Sequence, residues 1–192
     1  MSENKKDFIF ASASKYKIEL LEKIKFFPKQ IVPADVDETP FTNENPINYV
    51  KRVACSKCEY VHSLLKNENV LASDTICVCS NQILQKPRDI NEFKHFLKMF
   101  SGRKAKALTG ICFISRDGKK SIKVEETKIQ FKHFNRRDVD DAIQYSDSMN
   151  CAGGLKVEGF SECLVKSING SYSNIIGMPL CTVRNILISN NI

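Results

Sequence analysis

An aspartate lies inside an otherwise apolar, β-branched run of ten residues, Val70–Cys79, and no other residue of that run is charged at neutral pH. A carboxylate inside an apolar strand costs free energy unless it is paired, hydrogen-bonded or bound to a metal. We therefore interpret Asp74 as a functional residue. The alternative is a structural aspartate that caps a neighbouring loop.

Three carboxylates occur within four residues in the segment 35–40, which reads Asp-Val-Asp-Glu-Thr-Pro. Carboxylate and phosphate oxygens are the ligands that Mg²⁺ prefers in proteins. This segment could therefore hold a hard divalent cation. A solvated acidic loop is the alternative.

A small-residue turn, Ser12-Ala13-Ser14, separates a short apolar segment from an amphipathic one. Hydroxyl and backbone N–H groups at the start of a helix bind anions. Lys15 and Lys17 would oppose the dipole of that helix unless an anion were bound there. An ordinary serine N-cap is the alternative.

Two lysines add to this set: Lys57 in a predicted helix and Lys86 directly before Pro87. Carboxylates can hold a divalent cation and lysines can hold phosphates, whereas the sequence offers no candidate Ser-His or Cys-His nucleophile pair. The combination favours metal-assisted hydrolysis of a phosphoanhydride, with water as the attacking group.

Composition limits the class of protein that carries these residues. The 192 residues are 42% hydrophobic and 27% charged, which excludes disordered, collagen-like and low-complexity chains. No apolar run approaches the roughly 18 residues of a membrane span, and the N-terminus lacks the apolar region of a signal peptide. We expect one domain, residues 1–192, in the cytoplasm. The phosphate-binding motifs GxGxxG and GxxxxGK[ST] do not occur.

The 8 cysteines are scattered along the chain, and a reducing compartment disfavours a disulfide framework. Cys55 and Cys58 form a single CxxC within a helical pattern. A zinc site needs further ligands at similar spacing, and neither a second CxxC nor a paired-histidine motif exists. We favour small buried helix residues over a metal site.

Aromatic and basic residues interleave in the segment 128–137, and the formal net charge is +7. Such a segment can stack bases and hold phosphates. A half-exposed strand with Ile129 and Phe131 turned to the core gives the same pattern. The net charge also suits an enzyme that attracts small polyanions. We favour the strand, so a nucleic-acid partner is the lesser alternative.

Helical and strand patterns alternate along the whole chain, without a repeat or a linker, and predict an α/β fold with a mixed sheet. Predicted strands cover residues 7–11, 30–34, 70–79, 105–115, 121–133 and 163–168. Predicted helices cover residues 15–26, 46–66, 89–100, 137–145 and 179–188. The sequence Asp117-Gly118 predicts the turn of a hairpin between the fourth and fifth strands, and residues 150–154 read as a loop.

Eight segments in this order resemble the Maf family of nucleoside triphosphate pyrophosphatases. They are FASASKYKIELLEKI, PADVDETP, YVKRVACSKCEYV, VLASDTICV, ILQKPRD, SGRKAKALTG, CAGGLKVEG and INGSYSNIIGMPL. The resemblance implies an inosine triphosphatase-like mixed sheet flanked by helices, in two lobes with a central cleft. It further implies a homodimer that uses Mg²⁺ or Mn²⁺ to hydrolyse nucleoside triphosphates to nucleoside monophosphate and pyrophosphate. The family is also linked to septum formation and arrest of cell division.

The resemblance assigns roles residue by residue. Asp74 matches the catalytic aspartate that accepts a proton from water, and Glu38 matches an acidic residue that binds metal or water, so that the two would share the metal. Lys57 and Lys86 match lysines that neutralise the triphosphate. The phosphate loop is expected to include Ser12, Ser14 and Lys17. Because Lys17 stands where the family has arginine, it lacks the planar fork of a guanidinium.

The residues that bear on substrate choice resemble two different branches of the family. Tyr16, Ser73, Ala105 and Glu158 resemble the family branch that prefers 7-methyl-GTP, since a carboxylate accepts hydrogen bonds from guanine and an aromatic ring stacks on a cationic base. Thr75 and the segment 171–174 resemble the branch that prefers dTTP and UTP. We favour 7-methyl-GTP, with dTTP and UTP as the alternative.

A third hypothesis is a catalytically weakened regulator that senses nucleotides during septum formation. The departures at Lys17, Ser73 and Ala105 allow it. Against this hypothesis, the four charged residues that match the family's catalytic set are all present: Asp74, Glu38, Lys57 and Lys86. Their presence favours an enzyme that removes modified or surplus nucleotides.

Overall fold

Seven strands form one mixed sheet in the computed structural model, which describes residues 5–145 and 148–192. The strands are β1 Lys5–Phe10, β2 Phe27–Ile31, β3 Val70–Cys79, β4 Gln82–Leu84, β5 Lys104–Ile114, β6 Lys120–Phe131 and β7 Val165–Asn169. Their order is β2-β1-β3-β5-β6-β7, and β4 pairs with β3. Strand β1 runs parallel to β2 and β3, whereas β4 and β7 run antiparallel to their neighbours β3 and β6. The predicted mixed α/β fold is confirmed.

Six α-helices accompany the sheet in the described ranges. They are α1 Lys15–Lys23, α2 Pro46–Leu64, α3 Ile90–Phe100, α4 Arg136–Tyr145, α5 Tyr172–Ile176 and α6 Leu180–Ser189. Parallel neighbours need a crossover connection, which α1 supplies between β1 and β2. None of the described helices is long and apolar enough to cross a membrane.

The chain divides into two compact units. The first unit comprises residues 5–74, Thr109–Glu125 and Gly177–Ile192. The second unit comprises Thr75–Leu108 and the described part of Glu126–Ile176. Strands β3, β5 and β6 therefore each contribute residues to both units.

Helix α2 is the longest helix and carries much of the first unit's core. Asn45 caps it by accepting the Ile47 N–H at 2.9 Å, and Pro46 occupies the first helical position, where a missing N–H costs nothing. The buried residues of α2 recur every three to four positions, as on one face of a helix. The core residues around it are Ile9, Ala11, Ala54, Cys58, Val61, Val70, Ala72, Cys112 and Ile114.

The second unit has its own core, centred on α3. Asp89 caps this helix by accepting two N–H groups, those of Asn91 and Glu92, at 2.8 Å. Phe100 stacks on Phe131 of β6 with ring centroids 4.7 Å apart. Aromatic pairs at this separation add to the free energy of simple burial.

The hairpin between β5 and β6 is found where Asp117-Gly118 predicts it. Gly118 has φ +83° and donates its N–H to the Ser115 carbonyl at 2.8 Å. Only glycine, and to a lesser degree asparagine or aspartate, adopts that backbone conformation without strain.

Several predicted boundaries differ from the structure. Helix α1 ends at Lys23 rather than residue 26, because Lys25 adopts φ +62° and closes the helix. Strand β2 begins at Phe27, in register with Lys5 of β1, rather than at residue 30. Residues 150–154, read as a loop, include short 3₁₀ turns. The short elements β4 and α5 were not predicted, since three to five residues are too few to show a period.

Candidate functional site

The ammonium group of Lys57 joins the two carboxylates singled out from the sequence. Its Nζ lies 2.7 Å from Asp74 Oδ1 and 2.9 Å from Glu38 Oε1. Lys57 extends from α2, Asp74 lies in β3 and Glu38 lies in the loop before α2, so three separate segments of the first unit meet at one point. The exposed fractions of the Lys57 and Asp74 side chains are 13% and 9%, whereas that of Glu38 is 48%.

The electrostatics of this cluster favour a protonated lysine. Burial works to lower the pKa of Lys57, but the negative charge and hydrogen bonds of Asp74 and Glu38 outweigh it and raise that pKa above the ordinary lysine value. The two carboxylates thus share one ammonium group.

Lys17 approaches Asp74 from α1. Its side chain is buried, and its Nζ donates to the Ser73 carbonyl at 2.8 Å. Ser73 in turn donates its hydroxyl to the Gly177 carbonyl at 3.3 Å. Lys17 therefore braces the backbone next to Asp74, a contact that its position in the sequence did not indicate.

The small-residue turn lies directly before α1, as predicted. Ser14 occupies the N-cap position with no capping bond from its hydroxyl, and its backbone N–H donates to Ser12 Oγ at 3.3 Å. The ordinary serine cap is therefore not what the turn forms. Both serines and Tyr16 are half-buried.

The acidic segment is a solvent-exposed loop whose backbone is held by hydrogen bonds. Asp37 Oδ1 accepts the Thr39 N–H at 2.8 Å, and hydrogen bonds from Thr39 lower the pKa of Asp37. Tyr49 donates its hydroxyl to the Glu38 carbonyl at 2.7 Å, and Arg52 donates to the Thr39 carbonyl at 3.0 Å.

Tyr49 and Arg52 were not singled out from the sequence. A signal was present: both lie in the first two turns of the helix that follows the acidic segment, three residues apart and thus on neighbouring positions of its surface.

Three other predicted residues belong to the second unit. Lys86 is exposed and follows β4, Thr75 is half-buried in β3, and Glu158 is exposed between two short 3₁₀ turns. Burial chiefly, and then the charges of Glu158 and Glu162, raise the pKa of Tyr172.

The residues used to choose a substrate branch include core positions. Ala105 is fully buried in the core of the second unit. Asn174, within the segment 171–174, is buried and donates to the Ala107 carbonyl at 3.1 Å and to Thr127 Oγ1 at 3.0 Å. Both residues therefore have packing roles in this unit.

The basic segment 128–137 forms the end of β6 and the start of α4. Ile129 and Phe131 are buried, as the strand interpretation predicts. Acidic residues pair with the bases of this segment and of its flank: Lys128 with Glu126, Lys132 with Asp138, Arg136 with Asp140 and Arg137 with Asp141. This pairing disfavours the alternative of a nucleic-acid surface.

The CxxC pair lies in α2, as predicted. Cys58 is fully buried and donates its thiol to the Val70 carbonyl at 3.1 Å, and Cys55 is half-buried. Within residues 5–145 and 148–192, no group of three or more His, Cys, Asp or Glu side chains is placed to hold a metal ion.

Comparison with protein families gives a match over almost the whole length: the model for "Maf-like protein" matches residues 7–190. The chain belongs to the Maf family. This confirms the resemblance seen in the eight segments.

Curated relatives of this Maf-family chain carry names of one enzyme class. It is 34% identical over 181 residues to a protein of Zymomonas mobilis named dTTP/UTP pyrophosphatase, covering 94% of this chain and 90% of that protein. It is 37% identical over 185 residues to a protein of Rickettsia typhi named nucleoside triphosphate pyrophosphatase, covering 94% and 82%. A Rickettsia felis protein of the same name is 36% identical over 195 residues, covering 98% and 96%.

Solved structures show a more distant similarity. The Ham1 protein of Staphylococcus aureus is 18% identical, with a TM-score of 0.47, covering 66% of this chain and 72% of that one. A HAM1 protein of Coxiella burnetii is 16% identical, with a TM-score of 0.48, covering 67% and 74%. The assignment to the Maf family does not depend on them.

Proposed function

We propose that this Maf-family chain is a nucleoside triphosphate pyrophosphatase, an enzyme that hydrolyses an acid anhydride. The names of its curated relatives support the class. The observation that carries the proposal is the joint contact of Asp74 and Glu38 with Lys57, because it places two carboxylates and a cation from three segments at one point.

In the proposed reaction a water molecule attacks the α-phosphorus. The new bond joins the water oxygen to phosphorus, the bond between the α-phosphorus and the bridging oxygen breaks, and pyrophosphate leaves. Asp74 accepts the proton that the water loses. Its ion pair with Lys57 fixes the direction of the carboxylate, and a general base must point at the proton that it accepts.

Charge builds up on the phosphate oxygens as the bond breaks, and fixed cations stabilise it. Lys57 is one such cation, since its ammonium is already desolvated and needs no rearrangement. Lys17 supports the same region from α1. The roles of Ser12, Ser14 and Lys86 as further phosphate contacts stay predictions from the sequence.

The residues at this point fit a divalent metal. Glu38 and Asp74 each direct a carboxylate oxygen to the Lys57 ammonium, so the two carboxylates lie close together. Two carboxylates plus substrate phosphate oxygens are a common ligand set for Mg²⁺. Mg²⁺ or Mn²⁺ held by Asp74 and Glu38 would neutralise the phosphates and polarise the phosphoryl group.

We propose dTTP and UTP as the substrates. The name of the Zymomonas mobilis relative supports them, as do Thr75 and the segment 171–174. A second candidate, 7-methyl-GTP, is supported by Glu158, whose exposed carboxylate can accept hydrogen bonds from guanine, and by the half-buried ring of Tyr16. A homodimer in the cytoplasm, removal of surplus or modified nucleotides and a link to septum formation stay predictions.

The deciding experiment is release of pyrophosphate with Mg²⁺ or Mn²⁺ from dTTP, UTP, 7-methyl-GTP, GTP, CTP and ATP. We expect preference for dTTP and UTP, and a loss of at least about 100-fold in kcat for Asp74→Asn, as expected for a general base. Preference for 7-methyl-GTP would keep the mechanism and change the substrate. If the protein binds nucleotides but shows no Asp74-dependent release of pyrophosphate, the result would instead favour the nucleotide-sensing regulator.

A further inference from the structure

Two side chains of α2 hold the backbone of the loop that carries Glu38. Tyr49 donates its hydroxyl to the carbonyl of Glu38 at 2.7 Å, and Arg52 donates Nη2 to the carbonyl of Thr39 at 3.0 Å. Two consecutive carbonyls of the loop are thus bonded to the helix that also carries Lys57. The backbone on the C-terminal side of Glu38 is therefore fixed to α2.

Arg52 is itself held in one orientation. Its Nε lies 2.8 Å from Glu44 Oε1 and its Nη2 lies 2.7 Å from Glu44 Oε2, a two-pronged pairing that only a guanidinium can make. Its guanidinium carbon lies 4.1 Å from the centroid of the Phe41 ring. Glu44 Oε2 also accepts the Phe41 N–H at 3.0 Å, so the same carboxylate closes the end of the loop.

Glu38 needs such support more than its neighbours do. Its side chain is about half exposed, while those of Lys57 and Asp74 are almost buried. An exposed ion pair contributes little to holding a side chain in place. Residues 33–41 form no regular strand or helix that could fix the backbone instead.

We propose that Arg52, assisted by Tyr49, is a positioning residue for the pyrophosphatase reaction. It holds the loop so that the Glu38 carboxylate meets Lys57 at the point that Asp74 also contacts. Arg52 acts through Glu38 and touches no reacting atom. This inference rests on the proposed function, and its test is designed to separate the two.

The main test is a double-mutant cycle on pyrophosphate release, with Arg52→Lys, Glu38→Gln and the double variant. Lysine keeps the charge and loses the fork, so we expect kcat to fall about 10- to 100-fold, as is typical for residues that orient a metal ligand. In the Glu38→Gln background the same change should cost less than about twofold, because the residue that it positions is gone. Equal losses in both backgrounds would overturn the proposal.

Two further variants separate positioning from a general loss of folding. Tyr49→Phe removes only the hydroxyl and should lower kcat about two- to tenfold, the value of one hydrogen bond. Arg137→Lys is the matched control, since it makes the same substitution at an exposed Arg–Asp pair of α4 and should leave kcat unchanged. A wild-type kcat in Tyr49→Phe would remove that residue from the proposal.

A readout that does not depend on activity is hydrogen exchange of the Phe41 amide, measured by NMR without nucleotide or metal. Because this N–H donates to Glu44, we expect exchange at least about tenfold faster in Arg52→Lys and unchanged in Arg137→Lys. If the wild-type protein releases no pyrophosphate, the proposed function fails. The exchange rate of the Phe41 amide then decides alone whether Arg52 holds the loop that carries Glu38. Unchanged exchange in Arg52→Lys would overturn the proposal whatever the activity shows.

Discussion

Lys57 pairs with both carboxylates of the site, Asp74 and Glu38. It is the partner that Asp74 needs, because a carboxylate inside an apolar strand is costly when unpaired. Removing one partner of a buried ion pair destabilises more than the intact pair stabilises, since the remaining charge keeps its desolvation cost. Lys57 therefore matters to stability as well as to the proposed chemistry.

We expect Lys57→Met to lower the free energy of unfolding by about 3 kcal/mol at pH 7, measured by urea denaturation. Changing Asp74 to Asn in the same protein should restore part of the loss. A Lys57→Met protein as stable as wild type would show that Asp74 needs no partner.

The same residue gives a dependence on pH. The pKa of Lys57 is raised in the folded state, so its contribution is complete below the unfolded-state value of 10.5 and is lost as the pH rises through the folded-state value. The difference in unfolding free energy between wild type and Lys57→Met should therefore be constant from pH 7 to 9 and shrink above about pH 10.5. A difference that stayed constant into strong alkali would contradict this assignment of the pKa.

The sequence indicated the charged residues of the site better than it indicated the residues that hold them in place. Asp74 could be found because a charge in an apolar run is conspicuous, and Glu38 and Lys57 because their segments resemble a known family. Tyr49 and Arg52 were missed because their spacing on α2 shows only that they lie close together, whereas the backbone carbonyls that they contact have no sequence pattern. The bond from Lys17 to the Ser73 carbonyl joins residues 56 positions apart, and only the folded chain shows it.

Among the elements, α2 depends on a close approach to strand β5. A Cβ at Gly110 would lie 2.1 Å from the Val50 carbonyl oxygen and 2.5 Å from its carbon, well inside van der Waals contact. Since the contacted atoms are helix backbone, they cannot move out of the way as a side chain would. Gly110 thus allows α2, and with it Lys57, to lie against the sheet.

Gly110→Ala should therefore lower the free energy of unfolding by about 1 to 3 kcal/mol, as overpacking typically does. It should also lower kcat, because α2 carries Lys57, Tyr49 and Arg52. Gly118→Asn is the control: no atom lies within 4 Å of a Cβ at that turn, and asparagine tolerates its positive φ. Equal thermal stability of Gly110→Ala and wild type would show that α2 can shift without cost.

Elements with a strong local pattern were predicted well. Strand β3 has the predicted bounds, and α2 begins at the predicted proline. Ends set by long-range pairing were predicted less well, since β2 takes its limits from its register with β1. A one-turn helix such as α5 is held by contacts with neighbouring strands rather than by its own sequence pattern. Among these contacts are the hydrogen bonds from Asn174 of α5 to Ala107 and Thr127.

For the whole molecule, the net charge of +7 coexists with carboxylates that are held in local contacts. These carboxylates are distributed over both units and pair with bases or accept hydrogen bonds from hydroxyl and backbone N–H groups, and these contacts lower their pKa values. They are Asp37, Glu44, Glu92, Asp117 and Asp138. The net charge of +7 suits attraction of a small polyanion.

These lowered pKa values predict how the stability of the whole protein depends on pH. A carboxyl with a lowered folded-state pKa stabilises the fold above its unfolded-state value, and that contribution is lost as the pH falls through the folded-state value. We therefore expect the urea midpoint to fall steadily below about pH 4.5. Asp138, whose pKa is lowered first by Lys132 and then by the Asn135 N–H, offers a test within one pair. Asp138→Asn should be less stable than wild type at pH 7, and the difference should shrink as the pH falls below the unfolded-state value of 3.8. A difference that stayed constant in acid would show that Asp138 takes no part in the acid transition.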